Sequence, residues 1–136
     1  AVSEGGTWLG AGDGMGTIHA WNTTTSRSLY RLSAHVGEVT ALVVDPLGKW
    51  FASAGADGAV KMWRLDTGAL IATLMAWPNG WAVLSPDGRY KISGEVGDFW
   101  WASGLCRFGV SDLDDLAPYL HSLRRIPEDE PLDLGN

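Results

Sequence analysis

Three residue types that serve nucleophilic catalysis stand close together in this chain: His35, Ser53 and Asp57. In a hydrolase a serine hydroxyl attacks, a histidine takes its proton, and a carboxylate orients the imidazole. The surroundings do not suit that chemistry. Ser53 sits inside the apolar run Trp50-Phe51-Ala52-Ser53-Ala54, with no nucleophile elbow and no Gly-rich oxyanion loop. A structural reading suits the same residues better. A buried imidazole needs a partner for each ring nitrogen, and a carboxylate and a hydroxyl can supply both. We therefore assign no catalytic residue.

Other chemistry is equally sparse. His19 and His121 complete no metal-ligand spacing, so no metal site is expected. Asp13-Gly14-Met15-Gly16 is Gly-rich, but no Gly-Lys-Ser/Thr follows it. It reads as a hairpin loop rather than a phosphate cradle, and no cofactor is expected. Cys106 lies beside Arg107, which could lower a thiol pKa, yet no histidine pairs with it in sequence. We read it as a packing cysteine.

The chain that must position these residues has 136 of them, 46% hydrophobic and 19% charged, with 18 Gly and 8 Trp. That allows one ordinary domain with a real core. The net charge of −6 argues against a nucleic-acid partner, which calls for the opposite sign. No apolar run reaches the ~20 residues of a membrane helix, so no membrane partner is expected. One cysteine excludes an internal disulfide and suits a reducing, cytoplasmic setting. The opening Ala1-Val2-Ser3-Glu4 carries no leader signature and reads as an excised or processed piece. Residues 1–111 carry a net charge of −1 and residues 112–136 a net of −5. A nearly neutral body thus precedes an acidic tail.

The body repeats itself. Trp8 and Trp50 are 42 apart, as are Gly16 and Gly58, Ile18 and Val60, Trp21 and Trp63, and Leu32 and Leu74. A looser third copy aligns 46–50 with 86–90. A period of roughly 40–45 residues with four short strands is the mark of a propeller blade. The strands follow from local pattern. Residues 39–44 are β-branched and apolar, 45–48 form a Pro-x-Gly turn, and 50–54 form a second strand. Ala56-Asp57-Gly58 signals a hairpin, 60–65 alternate, and 69–74 close the unit.

At these residues the sequence resembles the WD-repeat family. Leu32-Ser33-Ala34-His35-Val36-Gly37-Glu38-Val39 is similar to that family's Leu-x-Gly/Ala-His-x-x-x-Val opening. Ser53, Asp57 and Trp63 fall where the family places its second-strand hydroxyl, hairpin carboxylate and third-strand Trp. The resemblance implies a structural hydrogen-bond network of His35, Asp57, Ser53 and Trp63. The sequence also departs from the family. The dipeptide that names it is Trp21-Asn22 in one copy and Trp63-Arg64 in the next, Met15 stands where Asp57 does, and Trp77 stands where His35 does. Only the middle copy has the full set.

The expected fold is therefore all-β: about two and a half four-stranded antiparallel WD-repeat propeller blades with a short helical or irregular acidic cap. We expect a partial propeller over 1–110, divided into an incomplete blade at 1–34, a full blade at 35–76 and a degenerate blade at 77–110. The first copy begins at its second strand, and Asp98-Phe99-Trp100-Trp101-Ala102 is expected as the third strand of the last. Residues 111–136 are expected as the acidic cap and tail, with Ser111 as an N-cap and Leu113, Leu116 and Leu120 on one face. The segment from Tyr90 to Arg125 resembles the last blade and tail of large bacterial WD-repeat signalling proteins. That implies the sensor or scaffold end of a multidomain regulator.

A closed propeller needs about four to eight blades, and a lone blade cannot bury its flat faces. We therefore expect protein partners, further blades or self-association. Loop-end partner contacts are expected at Met15, Val36, Glu38, Ala56, Trp77 and Asn79. The competing reading is an enzyme or small-ligand site in the central channel. The inner strands 39–44 and 81–84 offer almost only Thr40 as a polar group, which disfavours it.

Overall fold

The structure is a computed structural model describing residues 1–95, 100–103, 106–109, 124–126 and 129–131. The described residues contain strands, turns and irregular segments. The chain divides into two units, Ala1–Thr73 and Leu74–Asn136.

The first unit holds two antiparallel sheets. One comprises β1 (Trp8–Gly12), β2 (Thr17–Asn22) and β3 (Arg27–Ser33) in chain order. The other comprises β4 (Val39–Val44), β5 (Trp50–Gly55) and β6 (Ala59–Arg64). Strand β7 (Leu70–Trp77) runs across the junction of the units. Alternation decides which side chains meet. Trp8, Ile18 and Ala20 from the first sheet are buried with Phe51 and Trp63 from the second, and Ala34 joins them. Tyr30, Leu32, Val39, Leu42, Val44, Leu65 and Leu70 pack around this core. The Trp8 and Phe51 rings lie 5.0 Å apart, and Phe51 and Trp63 stack at 6.2 Å. Such aromatic pairs add about 0.5–1.5 kcal/mol beyond area burial.

The 42-residue repeat is a backbone repeat. Gly6 and Gly48 turn at φ 65° and 68°, and Gly16 and Gly58 at φ 84° and 77°. The turns close with matching bonds: Ser3 N donates to Trp8 O and Asp45 N to Trp50 O, both at 3.0 Å. Residues 1–3 extend the first copy further back than its sequence suggests. Val2 bridges Leu9, and Ala1 and Gly10 exchange hydrogen bonds at 2.8 and 2.9 Å. They take the place that 43–45 hold beside β5, the end of an inner strand.

The second unit contains β8 (Gly80–Leu84) paired antiparallel with β9 (Arg89–Gly94), and a hairpin of β10 (Trp100–Ser103) and β11 (Cys106–Gly109). Ala82, Tyr90 and Ile92 form its core, with Trp77 and Leu84 against it. The third-strand expectation for 98–102 is corrected in part. Residues 96–99 lie outside the described residues, and the described β10 pairs with β11. The described neighbours of β9 are β8 and β12 (Arg124–Arg125), which runs parallel to Arg89–Tyr90. Ile126 then donates its N–H to Tyr90 O at 2.8 Å and is buried. Lys91 Nζ donates to Glu130 O at 2.8 Å. The helix expected from Ser111 through Leu120 lies outside the described residues, and Arg124–Arg125, within the segment expected as cap and tail, is strand.

Candidate functional site

The polar residues of the full repeat meet at one end of the first unit. His35 precedes β4, Ser53 lies on β5, Asp57 in the β5–β6 hairpin and Trp63 on β6. Trp63 Nε1 donates to Ser53 Oγ at 2.9 Å, and Ser53 Oγ lies 2.7 Å from His35 Nε2. His35 Nδ1 lies 3.0 Å from Asp57 Oδ1. The Asp57 carboxylate can only accept, so the proton of a neutral His35 imidazole sits on Nδ1, and the Ser53 hydroxyl proton goes to Nε2. Nε2 is then an acceptor, and the proton on Nδ1 goes to Asp57. The chain of bonds has one direction, from Trp63 to Asp57.

This order of Ser, His and Asp is that of a hydrolase, yet the would-be nucleophile and base are both covered. Ser53 is 1% exposed and the His35 side chain is fully covered. The Ser53 proton and one of its lone pairs are engaged. The assembly holds loops. Asp57 also accepts the Val36 N–H at 3.0 Å and the Ala59 N–H at 3.1 Å. Burial works to raise the Asp57 pKa, but these two N–H bonds and His35 outweigh it and hold the carboxyl below its ordinary value.

The first copy closes its hairpin differently. Met15 stands in the Asp57 position and Ala11 in the Ser53 position. Asp13, two residues earlier than Met15, does the work. Its Oδ1 accepts the Thr17 N–H at 2.8 Å and the Met15 N–H at 2.9 Å. Thr17 corresponds to Ala59, so both carboxylates satisfy the same backbone donor. The Thr17 bond is the main cause of a lowered Asp13 pKa, with the Met15 bond and His19 adding to it against some burial. His19 Nε2 approaches Asp13 Oδ2 at 3.6 Å, and the imidazole stacks on Trp21 at 5.8 Å.

A second hydrogen-bonded chain joins the two sheets, and sequence reading missed it. Trp8 Nε1 donates to Tyr30 Oη at 3.0 Å, and Tyr30 Oη donates to Leu65 O at 2.7 Å. Burial pushes the Tyr30 phenol above its ordinary pKa. The Trp8 repeat position and the aromatic in β3 were its only sequence signals.

Three loops converge at the same end: Asp13–Gly16, Ala34–Glu38 and Gly55–Gly58. Gly16 O accepts the Ala34 and His35 N–H groups at 2.9 and 3.0 Å, Asp13 O accepts Val39 N–H at 3.0 Å, and Glu38 O accepts Ala56 N–H at 2.8 Å. Lys61 Nζ, from β6, reaches Ala34 O. Of the candidate contacts, Met15, Val36, Glu38 and Ala56 share this loop end and are exposed, Met15 by 86% and Val36 by 84%. Trp77 and Asn79 belong to the second unit. Trp77 is half-buried at the end of β7, and exposed Asn79 donates its Nδ2 to Glu95 Oε2 at 3.4 Å. Among the described residues no three His, Cys, Asp or Glu gather to hold a metal ion, and no helix is long and apolar enough to cross a membrane.

Comparison with known proteins agrees with this geometry. Residues 26–64 match the family model described as WD40: WD domain, G-beta repeat. The match spans β3 through β6 and contains His35, Ser53, Asp57 and Trp63. The chain is 36% identical over 82 residues to Protein hir1 of Schizosaccharomyces pombe, covering 54% of this chain and 9% of that protein. It is 33% identical over 86 residues to small ribosomal subunit protein RACK1y of Oryza sativa subsp. japonica, covering 56% and 26%. It is 49% identical over 43 residues to the pre-mRNA-splicing factor prp46 of Emericella nidulans, covering 32% and 10%. The chain thus spans about a tenth to a quarter of the length of these relatives. All three are eukaryotic, and these matches do not show the resemblance of the C-terminal segment to bacterial signalling proteins. Among solved structures, U3-55K superposes with a TM-score of 0.53 at 20% identity, over 67% of this chain and 32% of that one. The WD40 repeats of RRP9 superpose with a TM-score of 0.51 at 21% identity, over 63% and 29%. The fold is that of WD-repeat propeller blades, present as part of a propeller.

Proposed function

We propose that this chain is a non-catalytic protein-interaction scaffold, one part of a larger WD-repeat propeller that displays loops to partner proteins. One observation carries the reading: the open face of the first sheet. Leu9, Trp21 and Val2 stand 42 residues before Phe51, Trp63 and Val44. In the second sheet Phe51 and Trp63 are buried beneath Trp8, Ile18 and Ala20 of the first. In the first sheet the equivalent Leu9 is 37% exposed and Val2 56%, and Leu29 nearby is 43%. A face built to the same plan as a covered one is built to receive another blade. Exposed, it costs roughly 25 cal/mol for each Å² of apolar surface left in water.

The names of the relatives support a scaffold. One is a ribosomal-subunit protein and another a splicing factor. The burial of Ser53 weighs against a hydrolase reading. A channel site is disfavoured because β4 offers Thr40 as its one polar side chain. The missing blades come from a longer polypeptide or from further copies of this chain, and the whole acts as a regulator or sensor through what its loops hold. The lone cysteine suits a reducing cytoplasmic setting.

The test is the molar mass of the chain by light scattering on a sizing column, with and without Leu9→Asp. Assembly that Leu9→Asp abolishes supports the open face as a blade-receiving surface. A stable 14.6 kDa monomer that binds no hydrophobic dye overturns it.

A further inference from the structure

The loop end of the first unit displays two large apolar side chains that the fold makes no use of. Met15 is 86% exposed and Val36 84%, more than any other large apolar residue among those described. Neither tip is free to withdraw. Met15 N–H is tied to Asp13 Oδ1 at 2.9 Å and Val36 N–H to Asp57 Oδ2 at 3.0 Å. The two loops are adjacent, since a Cβ at Gly16 would lie 2.0 Å from His35 O and 2.6 Å from Gly37 O. A Cβ at Gly37 would lie 3.4 Å from Ala56 Cβ, which brings in the third loop. Gly14 and Gly58 have open space around them, so a partner backbone can approach closely.

The charges around these tips have one sign. The three loops carry Asp13, Glu38 and Asp57 and no Lys or Arg. Asp13 and Asp57 are held ionised by the backbone donors they accept. The imidazoles and the ammonium that face these loops are already engaged: His19 with Asp13, His35 with Asp57, and the Lys61 ammonium with Ala34 O. Glu38 is exposed.

We propose that this loop end docks a cationic, apolar segment of a partner protein, with an aliphatic or aromatic side chain between Met15 and Val36 and Lys or Arg groups against Glu38 and Asp13. The inference rests on the scaffold reading above and specifies its partner. Apolar contact supplies affinity, and Met adapts to varied shapes. The carboxylates supply register and attraction at a distance. Because the loops are pinned beforehand, little ordering entropy opposes binding.

The test is selection of a randomised displayed peptide library on the whole chain, followed by affinity measurement of the selected peptides. The expected peptides carry Lys or Arg beside an aliphatic or aromatic residue. The Met15→Ser/Val36→Ser double variant and Glu38→Lys each weaken them about tenfold or more, some 1.4 kcal/mol, and added salt weakens them further. Leu47→Ser, at the opposite end of the sheet and 79% exposed, leaves them unchanged. All these positions are exposed, and urea unfolding confirms that each variant folds. Selected peptides that are acidic or uncharged overturn the proposal, as does a selection in which no peptide depends on Met15 and Val36. Peptides lost instead with Leu9→Asp overturn the loop-end site while leaving the scaffold reading standing.

Discussion

The first two sheets of this chain are one design executed twice, and they differ in how each secures its hairpin. In the second, security comes from outside the hairpin: His35 arrives from the preceding loop and links Asp57 to Ser53 and Trp63. In the first, everything comes from within. Asp13 closes the turn, His19 of the same hairpin faces it, and Trp21 stacks on His19. The first sheet ties its turn with side chains of its own hairpin. It contributes Trp8 and Tyr30 to the second sheet, through the bond from Tyr30 to Leu65. A repeat preserves backbone geometry while the side chains that enforce it are exchanged.

The largest effect expected from breaking this symmetry is at the tryptophans. Trp8 is 3% exposed, packs on Phe51 and donates to Tyr30. Trp8→Ala is expected to cost about 3–5 kcal/mol. Its repeat equivalent Trp50 is half-buried, and Trp50→Ala should cost clearly less. Urea unfolding followed by far-UV circular dichroism measures both. Equal losses would mean that the two sheets are held alike.

Next come the paired glycines. Gly16 and Gly58 both turn at positive φ, so an alanine at either is strained by roughly 1–2 kcal/mol. At Gly16 the added Cβ would also fall 2.0 Å from the His35 carbonyl oxygen, whereas at Gly58 it meets nothing within 4 Å. Gly58→Ala should therefore lower the urea midpoint modestly. Gly16→Ala should lower it much more, because backbone must move. A Gly16→Ala protein as stable as Gly58→Ala would refute the close packing of the two loops.

These contrasts show what sequence can and cannot reveal. The strands, turns and period were legible because side-chain alternation and Pro-x-Gly chemistry are local. The residues His35, Ser53, Asp57 and Trp63 were legible through a spacing that resembles a known family. Asp13 was not, because it takes over a role from a different position in the turn, and alignment by offset points to Met15. Tyr30 was not, because its partner Leu65 contributes a backbone carbonyl, which no side-chain pattern encodes. The parallel pairing of β12 with β9 joins residues far apart in the chain, where spacing carries no signal.

A smaller effect than the tryptophans separates the two His–Asp pairs. His35 is buried and bonded on both nitrogens, so His35→Ala leaves the buried Ser53 hydroxyl proton without its acceptor and takes one donor from Asp57, at about 2–3 kcal/mol. His19→Ala removes a half-exposed imidazole 3.6 Å from its carboxylate. That change should be within about 0.5 kcal/mol of neutral. A large loss at His19 would mean that the first hairpin also depends on its imidazole rather than on the Asp13 backbone bonds.

The smallest expected effect is in acid, and its sign follows from the carboxylates. Asp13 and Asp57 both ionise below the ordinary value of 3.8 in the folded chain. A carboxyl depressed by folding adds stability that is fully present above its unfolded pKa. That stability is lost as pH falls through the folded one. The urea midpoint should therefore hold from neutral pH to about 5 and fall steadily below about 4. Asp66 and Asp87 are lowered too, so the wild-type slope belongs to several groups. The comparison that isolates each hairpin is Asp13→Asn against Asp57→Asn, with midpoints measured at neutral pH and near pH 3. Each variant should start less stable than wild type and lose less on acidification. The stability gap should narrow more for Asp57, whose carboxylate serves two backbone donors and an imidazole across two loops. Parallel acid profiles for Asp57→Asn and wild type would show that the carboxylate's charge contributes nothing to holding the His35 loop.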